Sequence, residues 1–156
     1  MGIHDEKIRF YEAQEQELQF TEFTSDTAMT LGLAIVAQAR ALGKPIAVDI
    51  TRGGQQLFHF SFDGMSPDND QWLARKRRCV DRFHMSSAHV GARVANSGLS
   101  LEDRYGLSRA EYAAVGGAFP IRIRNVGVVG SIAVTGLPSD EDHGIIIGAI
   151  QKHLNR

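Results

Sequence analysis

Residues 47–60 read AVDITRGGQQLFHF, and the way this stretch pairs decides the fold. Two runs rich in β-branched and aromatic residues, 46–52 and 55–61, flank Gly53-Gly54, a two-residue turn that closes a hairpin. Strands joined this way are antiparallel neighbours. Counting outward from the turn, Val48 and Ile50 share a face with Leu57 and His59. Ala47 and Asp49 share the other face with Phe58 and Phe60. Both faces carry apolar side chains, so helices are expected on both sides of the sheet. Asp49 then becomes a partly buried carboxylate in need of a partner.

The same pattern returns later in the chain. Residues 119–124 and 128–134 flank Asn125-Val126-Gly127 as a second hairpin, with Ile121 and Ile123 turned in and Arg122 and Arg124 turned away. Helical segments fill the rest. An N-terminal arm at about 4–17 contains no Gly or Pro, and its thin stripe of Ile8 and Tyr11 needs something to lie on. Residues 18–23 read as a short strand. Thr24 or Ser25 caps a second helix that ends at Gly43. That helix is apolar almost all round, so either its own sheet and a neighbouring helix or another subunit must cover it. Ser66-Pro67 starts a helix expected to run past Ser86 and Ser87 to about Asn96. Ser100-x-x-Asp103 and Ser108-x-x-Glu111 resemble caps of two short turns. Ser139 is placed to cap the last helix, with Ile146, Ile147, Ile150 and Leu154 as its stripe and His143 at its head. Hairpins followed by helices make a single α+β domain with a mostly antiparallel sheet. There is no glycine-rich phosphate loop that would support a parallel dinucleotide-binding sheet.

Composition excludes several classes. The chain has 156 residues, 43% hydrophobic and 22% charged, with a formal net charge of −1, so no overall field recruits nucleic acid or an anionic membrane. The basic run also lacks interleaved exposed aromatics, which argues against a nucleic-acid partner. No apolar run is long enough to span a membrane, and no apolar leader opens the chain, so a cytosolic location is expected. The one cysteine, Cys79, rules out an internal disulfide and any cysteine-paired zinc site. Charge is uneven. Residues 1–26 carry seven acids against two bases, and residues 75–82 carry five bases against Asp81. The two stretches are either separate solvated faces or a pair, the acidic arm lying on the basic helix.

The most specific chemistry lies in residues 72–87, WLARKRRCVDRFHMSS. Trp72, Lys76, Cys79, Val80 and Phe83 recur at spacings of three and four and so share one helix face. A lysine in an apolar stripe must snorkel to water or meet a buried acid or anion. Gly116-Gly117-x-Phe119-Pro120 offers bare backbone N–H groups for an anion. Convergence of that turn on the helix would form a pocket for an acidic small molecule, lined by Lys76, Arg75, Trp72, Gly116, Gly117 and Phe119, with Asp49 and His143 as further candidates. The structural alternative is an internal bridge from Lys76 to Asp49, Glu102 or Asp142. The histidines show no chelating spacing, so no metal site is expected. Ser86-Ser87 near His84 and His89 leaves a serine hydrolase as a weaker alternative, without the strand-turn-helix setting such a nucleophile needs.

Several stretches together carry a family likeness: AVDITRGGQQLFHF, SPDNDQWLARKRRCVDRF followed two residues later by SS, GGAFPIR and VVGSIAVTGLPSDEDH. Over roughly residues 15–155 the chain resembles a branch of the heme-degrading-domain superfamily, whose relatives include HbpS-like and GlcG-like proteins. The resemblance implies a five-stranded antiparallel sheet with helices on both faces in a profilin-like arrangement. It also implies a homo-oligomer built from dimers, and heme as the cofactor to test. The expected function is therefore an oligomeric small-ligand-binding protein. The alternative is a non-catalytic structural or protein-interaction scaffold.

Overall fold

The computed structural model describes residues 2–156. In chain order it contains α1 (Asp5–Glu17), α2 (Ser25–Leu42), β1 (Ala47–Arg52), β2 (Gln55–Ser61), α3 (Pro67–Phe83), α4 (Ser87–Ser97), α5 (Leu101–Tyr105), β3 (Ala118–Ile123), β4 (Gly127–Thr135) and α6 (Ser139–Leu154). The sheet order is β2-β1-β4-β3 and every neighbouring pair is antiparallel. Helices α2 and α6 cover one face, and α3 covers the other. Helix α4 packs beside α3 and the β3 end, and α1 lies on α4.

The sheet has four strands, not five. The expected first strand at 18–23 reduces to one bridge, Phe20 to Ile123. The Phe20 N–H donates to the Arg122 carbonyl (2.8 Å), and the Arg124 N–H donates to the Phe20 carbonyl (2.9 Å). The chain cannot run further along this edge. It must turn at once so that Thr24 can cap α2 by accepting from the Thr27 N–H (3.1 Å).

The hairpin register also differs from the simple count. An irregularity between Ile50 and Thr51 pairs Ile50 with Phe58 rather than with Leu57. A one-residue slip exchanges the two faces of a strand. Phe58 and Phe60 therefore join Val48 and Ile50 on the α2 side, and His59 joins Asp49 on the α3 side. Gly32 of α2 explains the arrangement: the Phe58 ring occupies the place where a Cβ at 32 would sit. Large side chains fill the α2/α6 face (Ile35, Ile50, Ile121, Ile132, Ile146). The α3 face uses Ala47, Ala118 and Ala133, so α3 approaches the sheet closely.

Three helix boundaries depart from the sequence reading. The long helix from Pro67 breaks at His84, which adopts left-handed backbone (φ 57°). Ser86 then caps a separate α4 by accepting from the His89 N–H (3.1 Å). Ser139 does not cap α6, because Pro138 occupies the cap position. Asp142 reaches back instead and accepts from the Leu137 N–H (3.1 Å). Ser108 heads only a turn, whereas Ser100 caps α5 as its spacing implies.

The acidic arm does not meet the basic run. It lies on α4, where Arg93 donates to Glu12 (3.0 Å) and Asn96 donates to Asp5 (3.2 Å). Arg75 and Arg78 already donate to the carbonyls of Arg109 and Glu111 in the loop before β3.

Candidate functional site

Helix α3 buries Lys76, Cys79 and Val80 of the expected stripe, with Phe83 partly buried, but not Trp72. Leu73, Lys76, Cys79 and Val80 are the buried residues, while Trp72 is 36% exposed and carries the Arg75 guanidinium 4.3 Å over its ring. Trp72 and Arg75 thus form a surface stack and do not line a pocket with Lys76. Leu73 takes the core position that the sequence reading assigned to the tryptophan.

Lys76 is only 2% exposed. Its ammonium donates to Asp142 Oδ2 (3.0 Å) and to the Val134 carbonyl (2.9 Å). Burial pushes the lysine pKa down, against the pull of the Asp142 charge. The same desolvation raises Asp142 to about 6, with Lys76 acting in the opposite direction. Gly117 sits directly over this pair with φ 131°, and a Cβ there would collide with the lysine side chain. Turn and helix therefore converge, and the Lys76 side chain itself occupies the space over Gly117. The acid that Lys76 meets belongs to the chain itself.

His143 follows Asp142 on α6. Gly116 packs against its Cβ, and the rings of Phe119 and Tyr11 lie 5.9 and 5.2 Å from the imidazole. Nε2 is 2.8 Å from Gln14 Oε1, which it meets as a donor, and the buried Nδ1 has no partner among the described residues. Burial lowers the His143 pKa to about 4, with Glu15 opposing, so the ring is neutral at physiological pH. Lys76, Gly116, Gly117, Phe119 and His143 thus gather in one place.

Asp49 belongs elsewhere. It is buried on the α3 side of β1, where Gln56 (2.7 Å) and Arg77 (3.1 Å) donate to its two oxygens and His59 lies 3.6 Å away.

Sequence reasoning missed the groups that α1 brings to the cluster. Glu15 is buried against the start of α4, where its carboxylate accepts from the Ser86 N–H (2.9 Å) and from His89 Nδ1 (3.0 Å). Arg93 donates to Nε2 of the same ring (2.9 Å), which sets the His89 tautomer. Tyr11 lies between the two imidazoles. The available signal was spacing: Tyr11 and Glu15, and His89 and Arg93, are each four apart and so share a helix face.

Above Gly116 a cleft of about 280 Å³ opens between α1, α4 and the start of α6, lined by His4, Lys7, Tyr11, Gly91, Gly116 and Asp140 among others. Burial, and secondarily Asp140, raises the Tyr11 pKa, so its hydroxyl remains a donor at neutral pH.

The serines are closed to chemistry. Ser86 and Ser87 are both 0% exposed. The Ser86 hydroxyl caps α4, and the Ser87 hydroxyl accepts from the Ala118 N–H (3.0 Å). Among the described residues no group of three or more His, Cys, Asp or Glu is placed to hold a metal ion, and no helix is long and apolar enough to cross a membrane.

A four-stranded antiparallel α+β domain with a polar cluster sealed under its first helix and a small cleft above it defines the class. Residues 23–151 match the protein family described as "Haem degrading protein HbpS-like", and the chain belongs to that family. It is 47% identical over 145 residues to a UPF0303 protein of Streptomyces avermitilis, covering 93% of this chain and 89% of that one. The structure is similar to that of Ybr137w protein, with a TM-score of 0.88 and 27% identity over 99% of this chain and 98% of the other. HbpS shares the fold, with a TM-score of 0.66 and 22% identity over 88% and 94% of the two chains. Helix α1 precedes the residues matched to the family, so the cleft combines a family domain with a covering element from outside the matched span.

Proposed function

We propose that the chain is a homo-oligomeric binding protein for a small carboxylate, or for the carboxylate arm of a larger molecule, and that the cleft above Gly116 is its site. One observation supports this most directly. Lys7, Tyr11 and His4 bring donors to the cleft against the single acid Asp140, and Gly91 and Gly116 let the Ala114 and Ser139 backbone close tightly at its floor. The Lys76–Asp142 ion pair and the neutral His143 form a rigid wall of no net charge behind it. Lys76 then acts on the site by holding α3, β4 and α6 together, without touching the ligand.

The family's description brings heme to this chain as a ligand to test. A volume of about 280 Å³ lies below the usual range for sites that enclose a drug-sized molecule, so the cleft does not enclose the macrocycle. His89 uses both ring nitrogens in hydrogen bonds, and the free Nδ1 of His143 is buried away from the cleft lining. The residues present fit a propionate arm, and neither imidazole presents a nitrogen to the cleft.

Thermal unfolding in the presence of acetate, malonate, benzoate and hemin, with a Soret titration for the last, checks the proposal. Expected are a rise in melting temperature with at least one carboxylate, competition between that carboxylate and hemin, and loss of both effects in Lys7→Glu. No shift with any of the four defeats the proposal and favours the scaffold alternative. A shift that Lys7→Glu leaves intact places the ligand elsewhere.

A further inference from the structure

A second feature stands apart from that wall. Helix α6 turns one face to the sheet, through Ile146, Ile147 and Ile150, and leaves the opposite face open. The open face carries Glu141, Gly144, Ile145, Gly148, Ala149 and Lys152, and with Ala34, Ala37 and Leu42 of α2 it borders a groove of about 740 Å³. Leu33 and Met29 extend this apolar surface along α2, at 56% and 51% exposed.

The two helical glycines have no explanation within one chain. Glycine is disfavoured inside a helix, and at Gly144 and Gly148 a Cβ would meet nothing within 4 Å. Residues without side chains on an exposed helix face let another backbone come close. The order of the face identifies that other backbone. Read from either end about its midpoint, it pairs Glu141 with Lys152, Gly144 with Ala149 and Ile145 with Gly148. A helix antiparallel to a copy of itself, related by a two-fold axis, meets opposite charges at both ends and sets each Ile145 into the gap at a glycine. Lys44 holds Glu141 at 3.3 Å, but both side chains are nearly half exposed, so Glu141 is free to re-pair.

We propose that this face docks a second copy of the chain, α6 against α6 antiparallel, with Glu141 of one copy meeting Lys152 of the other. The α2 surface, which the sequence left either to a neighbouring helix or to another subunit, continues the same interface. This contact names the assembly surface of the oligomer proposed above, and it stands apart from the ligand, because Gly148 does not line the cleft.

The full chain at micromolar concentration, measured by light scattering after size exclusion, tests the interface. The wild type is expected to run as a multiple of the dimer mass, and Gly148→Arg to halve the smallest assembly while keeping the circular dichroism spectrum. Gly148→Gln serves as a second variant should the arginine disturb folding. Glu141→Lys and Lys152→Glu should each raise the dissociation constant about tenfold, and the double exchange should restore it. A monomeric wild type overturns the interface. So does a Gly148→Arg protein of unchanged mass, or a double exchange that does not recover association. Carboxylate binding measured on Gly148→Arg separates the two proposals, since the cleft is expected to survive.

Discussion

Lys76→Met should destabilise the folded chain by about 3–5 kcal/mol, the cost of removing one partner from a buried ion pair. The change leaves Asp142, 1% exposed, facing an apolar side chain, and leaves the Val134 carbonyl without its donor. Asp142 can relieve part of the cost by taking up a proton, since burial already raises its pKa to about 6. The loss should therefore be smaller at pH 5 than at pH 8. Replacing both partners, Lys76→Met with Asp142→Leu, should recover much of it, because no charge remains buried, although the Leu137 N–H loses its acceptor. Urea unfolding of the three variants checks this. Unchanged stability in the single variant would mean that the ammonium is not held by Asp142.

The second large effect is a dependence on pH. His143 ionises at about 4 in the folded chain, against 6.5 for the free side chain. Its folded-state value is depressed, so the unfolded chain binds more protons between those limits. The stability contribution is complete above pH 6.5 and is lost as pH falls toward 4, an amount of about 3 kcal/mol. Asp142 acts in the opposite sense. Its folded value is raised from 3.8 to about 6, so its contribution is present below pH 3.8 and is lost as pH rises through 6. The two neighbours nearly offset each other in the wild type. His143→Gln removes one of them, so the stability difference between wild type and variant should grow by about 3 kcal/mol from pH 4 to pH 7. Chemical denaturation at a series of pH values measures it. A difference that does not change with pH would show that the imidazole is not kept neutral.

Much of this architecture was legible because its signals are local. Gly53-Gly54 and Asn125-Val126-Gly127 identified both hairpins, and Thr24 and Gly43 bounded α2, since turns and caps depend on a few adjacent residues. The misses share another character. The bulge beside Ile50 exists because Gly32, far away in sequence, admits the Phe58 ring, and no count along the strand registers that. The fifth strand failed because capping α2 competed with pairing at the sheet edge. At the site, the apolar placement of Lys76 was visible, and its partner was one of three acids that spacing could not separate. The cover that α1 supplies through Glu15 and Gln14 was hidden. Its polar face looks solvated until α4 and α6 provide imidazoles for it.

Cys79, the only thiol in the chain, lies at 0% exposure with its Sγ directed at the Ala113 carbonyl. Burial raises its pKa to about 11. The thiolate is the form that attacks an alkylating reagent, so while the domain stays shut this sulfur is both out of reach and in the wrong ionisation state. Its labelling rate therefore counts openings of the α3 wall, a clock already installed in the native polypeptide.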